Sequence, residues 1–214
     1  MYLMLIGAPA SGKGTQAKLL TEHFKIDHIS TGDMLREAVT QRTELGQMIE
    51  DCLKHGRLVP DHHVMQLVED RLAHDDITNG FILDGFPRTL SQAQAFDECL
   101  QQRGLSLDAA LYIDVSDAVA LQRVTGRRTD PLTKQVYHLT FNPPPPEILD
   151  RLVHREDDTE EVMRERLTTY HLEIAPVLEH YEHQNLGLKV NGSAKPDKIF
   201  EEILGRLESI PQKG

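Results

Sequence analysis

Residues 7 to 15 read GAPASGKGT. Gly7, four intervening residues, then Gly12-Lys13 is the spacing of a loop that wraps a phosphate. Glycines let the backbone turn with its N–H groups aimed inward. The helix that opens behind them adds its positive end, and Lys13 adds a full charge toward β and γ phosphates. The apolar run MYLMLI precedes the loop and the helical pattern QAKLLTEHF follows it. A chance lysine in a glycine turn would not need that strand and that helix. One detail departs from the common form: Gly14 follows the lysine, and the hydroxyl comes at Thr15.

Further stretches carry the same chemistry. In STGDMLR, residues 30 to 36, Thr31 and Asp33 are candidate helix caps, and Arg36 lies about one turn into that helix, where it can hold a second anion. FILDGFPRT, residues 81 to 89, is an apolar run ending in Asp84. A carboxylate at the end of such a strand, beside a phosphate loop, is placed to organise Mg²⁺ or its waters. Gly85-Phe86-Pro87 forces a turn, and Arg88 follows. Arg123 and Arg127 are four apart, hence expected on one helical face; Arg155 precedes Glu156-Asp157-Asp158, and Arg166 sits in MRERLTTYH. Each alone reads as a solvated or paired surface arginine. Together they suit phosphoryl transfer, which needs positive charge around the equatorial oxygens and a planar fork to grip them. His62-His63 and His180/His183 lack the carboxylate and third ligand of a zinc site. Residues 126 to 158 hold no cysteine, which excludes a tetrathiolate site there.

These residues need a scaffold that gathers strand ends. Short apolar runs predict strands at Tyr2 to Ile6, Asp27 to Ser30, Phe81 to Asp84, Leu111 to Val115 and Leu188 to Val190. Helical patterns are expected over Gly14–Phe24, Asp33–Val39, Leu45–His55, Asp61–Asp75, Leu90–Arg103, Ala118–Arg127, Thr159–Tyr181 and Asp197–Ser209. In the fourth of these, Val64, Leu67, Val68 and Leu72 fall at helical spacing. Strands alternating with helices predict an α/β fold, a parallel sheet covered on both faces. Residues 31 to 60 read as a mostly helical insertion. Residues 126 to 158 begin GRRTDP, contain the run Pro143 to Pro146, and in KQVYHLTF alternate polar and apolar, which predicts a small β hairpin in a flap outside the core.

The chain has 214 residues, enough for one well-buried domain. With 23 basic and 34 acidic residues its formal net charge is −11, which disfavours nonspecific nucleic-acid binding and requires a local basic cluster for any anionic ligand. No apolar run approaches the ~20 residues of a membrane span. MYLMLI is too short for a signal peptide and is read as a strand. Cys52 and Cys99 have no metal spacing and read as reduced thiols, fitting a cytoplasmic location. No long exposed apolar stripe demands a partner, so a monomer is expected, with the last residues, Pro211 to Gly214, as a tail.

GAPASGKGT, STGDMLR, DGFPRT, TGRR and the REDD…R segment, in this order, resemble the adenylate kinase family over nearly the whole chain. The resemblance implies a P-loop three-layer fold with a five-stranded parallel sheet, a helical AMP-binding insertion at 30–59 and a lid at 126–158, set into a core of residues 1–29, 60–125 and 159–214. It implies the reversible reaction of ATP and AMP to two ADP with Mg²⁺. Ala10, Ser11, Gly12, Lys13, Gly14 and Thr15 would then bind ATP. Thr31, Arg36, Arg57, Leu58, Val59, Gly85, Phe86, Pro87, Arg88 and Gln92 would hold AMP, with Gln92 reading adenine. Arg123, Arg127, Arg155 and Arg166 would surround the transferred group. Val136 and Tyr137 would lie near the ATP base, Ala194 would touch it through its backbone, and Asp84 would orient Mg²⁺ through water. The lid is of the long bacterial class but looks shortened and altered between the proline run and Arg155. Asp130 and Thr133 begin a polar cluster in place of zinc, which is not expected; its remaining members are not legible.

The expected mechanism needs no covalent nucleophile: an AMP phosphate oxygen attacks the γ-phosphorus in line, and a closing lid excludes water. Two rivals stand beside it. A kinase of UMP or CMP would share the mechanism and differ at the contacts of Thr31 and Gln92. A catalytically inactive nucleotide-binding module would lack some of Lys13, Arg88, Arg123, Arg155 and Arg166, and all are present. A nucleic-acid-binding ATPase fits poorly with an acidic chain containing 5% aromatics.

Overall fold

The computed structural model describes residues 1–74, 77, 79–133 and 135–209. The main sheet is parallel and five-stranded, with strand order β2-β3-β1-β4-β7. Its strands are β1 (Tyr2–Ile6), β2 (Asp27–Ser30), β3 (Phe81–Asp84), β4 (Ala109–Asp114) and β7 (Gly187–Asn191). Side chains alternate along each strand, and both faces are covered. Met4, Ile6, Phe81 and Leu83 point into one core with Val68 and Leu72 of helix α4 (Asp61–Leu72), Phe96 of α5 (Leu90–Gln102) and Val177 of α7 (Glu160–His183). Leu3, Leu5, Ile82, Leu111 and Ile113 point into the other, with Leu20 of α1 (Lys13–Phe24) and Ile203 of α8 (Pro196–Glu208). That double burial explains why the inner strands β1, β3 and β4 read as nearly unbroken apolar runs, whereas the edge strands β2 and β7 carry polar, more exposed residues.

Register brings the functional ends together. Leu5 pairs with Asp84, Ser30 pairs with Asp84, and Ile6 pairs with Tyr112. The GAPASGKGT loop, the start of α2 (Thr31–Thr40) and the turn after Asp84 therefore leave one edge of the sheet as neighbours, on the side where α/β sheets bind ligands.

Between β2 and β3 lie α2, α3 (Glu44–Lys54) and α4. The α2–α3 contact is tight: a Cβ on Gly46 would sit 2.0 Å from the Ala38 carbonyl oxygen. After α6 (Asp117–Thr125) the chain forms an antiparallel pair, β5 (Arg127–Thr129) with β6 (Val136–His138), in register Arg127↔His138. A short 3-10 helix, Pro146–Arg151, follows, and Val153 bridges back to Thr129.

Several element boundaries differ from those read in the sequence. The fourth strand begins at Ala109, where two buried alanines pack too little apolar volume to stand out beforehand. Helix α7 runs on to His183, with Thr159 as its cap rather than its first residue. Helix α2 begins at Thr31, and the cap is Ser30, whose hydroxyl accepts from the Asp33 N–H at 3.3 Å. The hairpin forms, but KQVYHLTF supplies only β6; its partner is the RRT run. Lys134 of that stretch, Asp75 at the end of the helix read over 61–75, and the Pro211–Gly214 tail lie outside the described residues.

Arg127 does not share a helical face with Arg123. Helix α6 stops at Thr125, Gly126 caps it, and Arg127 opens β5. The glycine is needed for close approach: a Cβ there would lie 2.4 Å from the His138 ring.

Candidate active site

The loop between β1 and α1 is built on close approach and a left-handed turn. A Cβ on Gly7 would sit 2.5 Å from the Ile113 carbonyl oxygen, and Gly12 caps α1 at φ 101°. Ala10 also takes a left-handed conformation, at φ 58°. Ser11 is fully buried, whereas Gly14 and Thr15 are exposed at the head of α1. Lys13 Nζ curls back to donate to the Gly7 and Ala8 carbonyls, 2.7 Å each. Burial lowers its pKa to about 8; Arg88 and Arg127 push the same way, and Asp84 opposes them. An ammonium under that strain is primed for a phosphate.

Arg123, on α6, braces this loop from behind. Its Nη1 donates to the Ser11 carbonyl at 2.9 Å and its Nη2 to the Gly192 carbonyl at 2.8 Å. Gly192 lies two residues before the exposed Ala194, in the turn from β7 to α8. That turn is also tied to α1, where Gln16 Nε2 donates to the Pro196 carbonyl at 2.9 Å.

The other arginines arrive from separate parts of the chain and crowd one another. Burial, then Arg166 and Arg36, lower the Arg88 pKa to about 10. Burial, then Arg36 and Arg127, do the same at Arg155. Three carboxylates absorb part of this charge. Arg127 Nε donates to Asp158 Oδ2 at 2.7 Å, and its Nη2 donates to Oδ1. Arg166 pairs with Asp157. Arg36 pairs with Asp33, and Arg155 reaches the same carboxylate at 3.8 Å. Burial works against the charge on Asp33 and on Asp157, but Arg36 and Arg166 respectively outweigh it and hold each below the usual carboxylate value. At Arg127 burial opposes the charge, and Asp158 restores it and raises the pKa. Asp33 meets Arg36 three residues on along α2, a spacing visible in the sequence; Asp157 and Asp158 stand in the quoted REDD stretch, yet nothing local says which arginine each will meet.

A small cleft opens past the end of β3. Thr31, Arg57, Leu58, Val59, Gly85, Arg88 and Gln92 line it with Leu35, Leu53 and Val64. Thr31, buried, donates through its hydroxyl to the Asp84 carbonyl at 3.2 Å. Gly85 turns at φ 80°, and Arg88 Nε donates to its carbonyl at 2.9 Å. Phe86 is buried against Phe96, and the Phe86-Pro87 bond is cis. Arg57 pairs with Asp51 of α3. Gln92, 1% exposed, is held at both ends of its amide: Oε1 accepts from the Arg88 N–H at 2.8 Å and Nε2 donates to Asp61 Oδ1 at 2.7 Å. Asp61 gave no sign in the sequence, because an acidic residue after proline reads as an ordinary helix start.

Asp84 lies at the end of β3, with His28 Nε2 at 3.4 Å. A Cβ on Gly14 would lie 3.4 Å from its Oδ2, an ordinary contact, which puts the Asp84 carboxylate against the head of α1. Among the described residues no group of three or more His, Cys, Asp or Glu is placed to hold a metal ion. A lone hard carboxylate facing a phosphate loop fits Mg²⁺ that keeps its waters and rides on nucleotide phosphates.

The flap carries Val136 and Tyr137 on β6 and touches the core at its tip, where Lys18 of α1 donates to Gln135. Its polar cluster is completed by Arg151. Asp130, fully buried, accepts from Arg151 Nη2 at 2.6 Å and Nε at 3.1 Å, from the Leu132 N–H at 3.0 Å and from the Thr133 hydroxyl at 3.0 Å. These four bonds, led by Arg151, bring the Asp130 pKa down to about 2. Cys52 and Cys99 are free, and no helix of the described residues is long and apolar enough to cross a membrane.

Comparison with known proteins agrees with this geometry. A family model described as adenylate kinase matches residues 5–186. The adenylate kinase of Fusobacterium nucleatum is 46% identical over 203 residues, 95% of this chain and 96% of that protein. Those of Gloeobacter violaceus and Clostridium novyi are 45% and 42% identical, covering 94% and 97% of this chain and 96% and 99% of their own lengths. The match along nearly the full length, on a sheet of this order with a phosphate loop and an arginine cluster, shows that the chain belongs to the adenylate kinase family.

Proposed function

We propose a division of labour among these residues for the reaction of this adenylate kinase, in which ATP and AMP give two ADP. The observation that carries it is the crowding of Arg36, Arg88, Arg127, Arg155 and Arg166 on one another, with Arg88 and Arg127 reaching Lys13, in a protein of net charge −11. Asp33, Asp158 and Asp157 pair with Arg36, Arg127 and Arg166, and the charge left on Lys13, Arg88 and Arg155, buried and crowded by neighbouring arginines, supports a site for anions.

In this reading residues 10 to 15 hold the ATP phosphates through backbone N–H groups and Lys13, with Arg123 fixing the loop's shape. Val136, Tyr137 and Ala194 border the ATP base. Thr31, Arg36, Arg57, Leu58, Val59, Gly85, Phe86, Pro87 and Gln92 hold AMP. A phosphate oxygen of AMP attacks the γ-phosphorus in line, and the charge that spreads over the transferred group is met by Lys13, Arg88, Arg127, Arg155 and Arg166. Asp84 would hold the waters of Mg²⁺, which when bound neutralises phosphate charge. Residues 30–59 and 126–158 act as moving flaps on the core and exclude water, without which ATP would be hydrolysed. Asp130 and Arg151 do for the flap's fold what zinc does elsewhere, so no zinc is required. A cytoplasmic monomer fits the free thiols and the absence of a membrane-crossing helix among the described residues.

The test is ADP formation from Mg-ATP with AMP, UMP, CMP and GMP offered separately. Turnover is expected with AMP. Lys13→Ala and Arg88→Ala should each lose at least a thousandfold in kcat/KM, more than one lost oxyanion donor at roughly 3 kcal/mol. Near-normal turnover in either variant refutes its role, and preference for a pyrimidine acceptor refutes the reading of Thr31 and Gln92.

A further inference from the structure

A glutamine amide is nearly symmetric in outline but not in chemistry: one end accepts and the other donates. At Gln92 both ends are spoken for by unambiguous partners. Arg88 offers a backbone N–H, which can only donate, and Oε1 meets it at 2.8 Å. Asp61 offers a carboxylate, which when ionised can only accept, and Nε2 meets it at 2.7 Å. The amide therefore has one sense in the folded protein. The carboxylate is itself steadied, because Oδ2 of Asp61 accepts from the Thr89 hydroxyl at 2.9 Å and from the Ser91 hydroxyl. These donors belong to the start of α5, whereas Asp61 opens α4, so two helices are clamped at the point where Gln92 lines the cleft.

After these bonds Gln92 keeps one N–H and one lone pair for a ligand. A purine with an amino group at C6 presents a donor there and an acceptor at the adjacent ring nitrogen. A purine with an oxo group at C6 presents the reverse order. An amide of fixed sense matches one and opposes the other in the same pose, whereas an amide free to turn over matches both.

We propose that Asp61 is the positioning residue that sets base choice in the acceptor cleft, by fixing the sense of the Gln92 amide so that a 6-aminopurine monophosphate is taken and a 6-oxopurine is refused. This rests on the reading of Gln92 as the residue that meets the acceptor base. Asn at position 61 keeps the shape but can offer either a donor or an acceptor to Gln92. The Arg88 N–H remains as a weaker restraint, so discrimination falls without vanishing.

The experiment compares kcat/KM for AMP and GMP, each with saturating Mg-ATP, in the natural protein, Asp61→Asn and Gln92→Ala, with KM for ATP as a check on the rest of the site. Asp61→Asn is expected to raise the GMP-to-AMP ratio about tenfold, the order expected for one hydrogen bond to a charged group. The change should lie mainly in KM for GMP, with KM for ATP unaltered. A merely structural loss would lower both acceptors together and leave the ratio still. If Gln92→Ala shifts the ratio and Asp61→Asn does not, Gln92 reads the base and the role of Asp61 is overturned. If neither shifts it, the reading of Gln92 falls and takes the proposal with it. Should Asp61→Asn fail to fold, Ser91→Ala, which strips one hydroxyl from the carboxylate, must move the ratio the same way by a smaller factor, and an unmoved ratio overturns the proposal.

Discussion

ATP binding should draw a proton onto Lys13. In the free protein its pKa is lowered to about 8, by burial first and by Arg88 and Arg127 after it, against the pull of Asp84. A phosphate placed at the ammonium favours the charged form and returns the group toward the ordinary lysine value of about 10.4. A lysine titrating at about 8 is about three-quarters deprotonated at pH ~8.5, so binding takes up about 0.7 proton there and only about 0.1 at pH ~7. Titration calorimetry of ATP without AMP, repeated in buffers of different ionisation heat, reads this number directly. Lys13→Met should abolish the pH-dependent part. The stability of the nucleotide-free protein carries the same sign. Since the folded pKa lies below the unfolded one, the unfolded chain binds more protons between about 8 and 10.5. Stability relative to Lys13→Met should therefore rise with pH across that window, by up to about 3 kcal/mol. Proton uptake that is flat between pH ~7 and ~8.5, or unchanged in Lys13→Met, refutes the reasoning.

Other outcomes follow from particular contacts. Gly46→Ala puts a methyl 2.0 Å from the Ala38 carbonyl oxygen, where backbone rather than a flexible side chain must give way. A loss of about 1–3 kcal/mol in denaturant unfolding is expected, together with a raised KM for AMP and little change for ATP. Arg151→Leu leaves the buried Asp130 without its main donor. The flap should then become protease-sensitive between 126 and 158 before the core unfolds, and a chelator should change nothing in the unmutated protein; protection equal to that protein would remove Arg151 from the flap's support. Gly126→Ala should misplace β6 by crowding the His138 ring and raise KM for ATP, measured by steady-state kinetics.

What the sequence made legible was local. GAPASGKGT announces itself because a tight loop, an apolar strand and a helix start are consecutive in the chain. The inner strands β1, β3 and β4 showed because both of their faces are largely buried, leaving little polar alternation to obscure them. What escaped depended on distant partners or on close packing. Arg127 read as helical, but α6 ends at Thr125 with Gly126 as its cap, and Arg127 pairs with His138 in a hairpin whose partner strand comes later in the chain. Asp130 and Thr133 were visible, but Arg151 joins them from 21 residues away. Asp61 meets Gln92 across 31 residues and two helices, a pairing that no spacing rule anticipates. The cleft proposed for AMP was readable only through the family resemblance; the structure shows that Thr31, Arg57, Leu58, Val59, Gly85, Arg88 and Gln92 line one cleft.

The pairing of Arg36 with Asp33, Arg127 with Asp158 and Arg166 with Asp157 has a kinetic consequence. In the roles proposed above, those arginines are already paired when a nucleotide arrives, so entry would be an exchange of one anion for another. The affinity gained is only the difference between phosphate and carboxylate as partners. The tethered carboxylates then return at high local concentration and compete for each arginine as soon as a product phosphate loosens. An enzyme that binds a phosphorylated product with the same groups it uses on the substrate would otherwise retain it. On that proposal the chain carries its own displacing ligands, and release would need no outside agent.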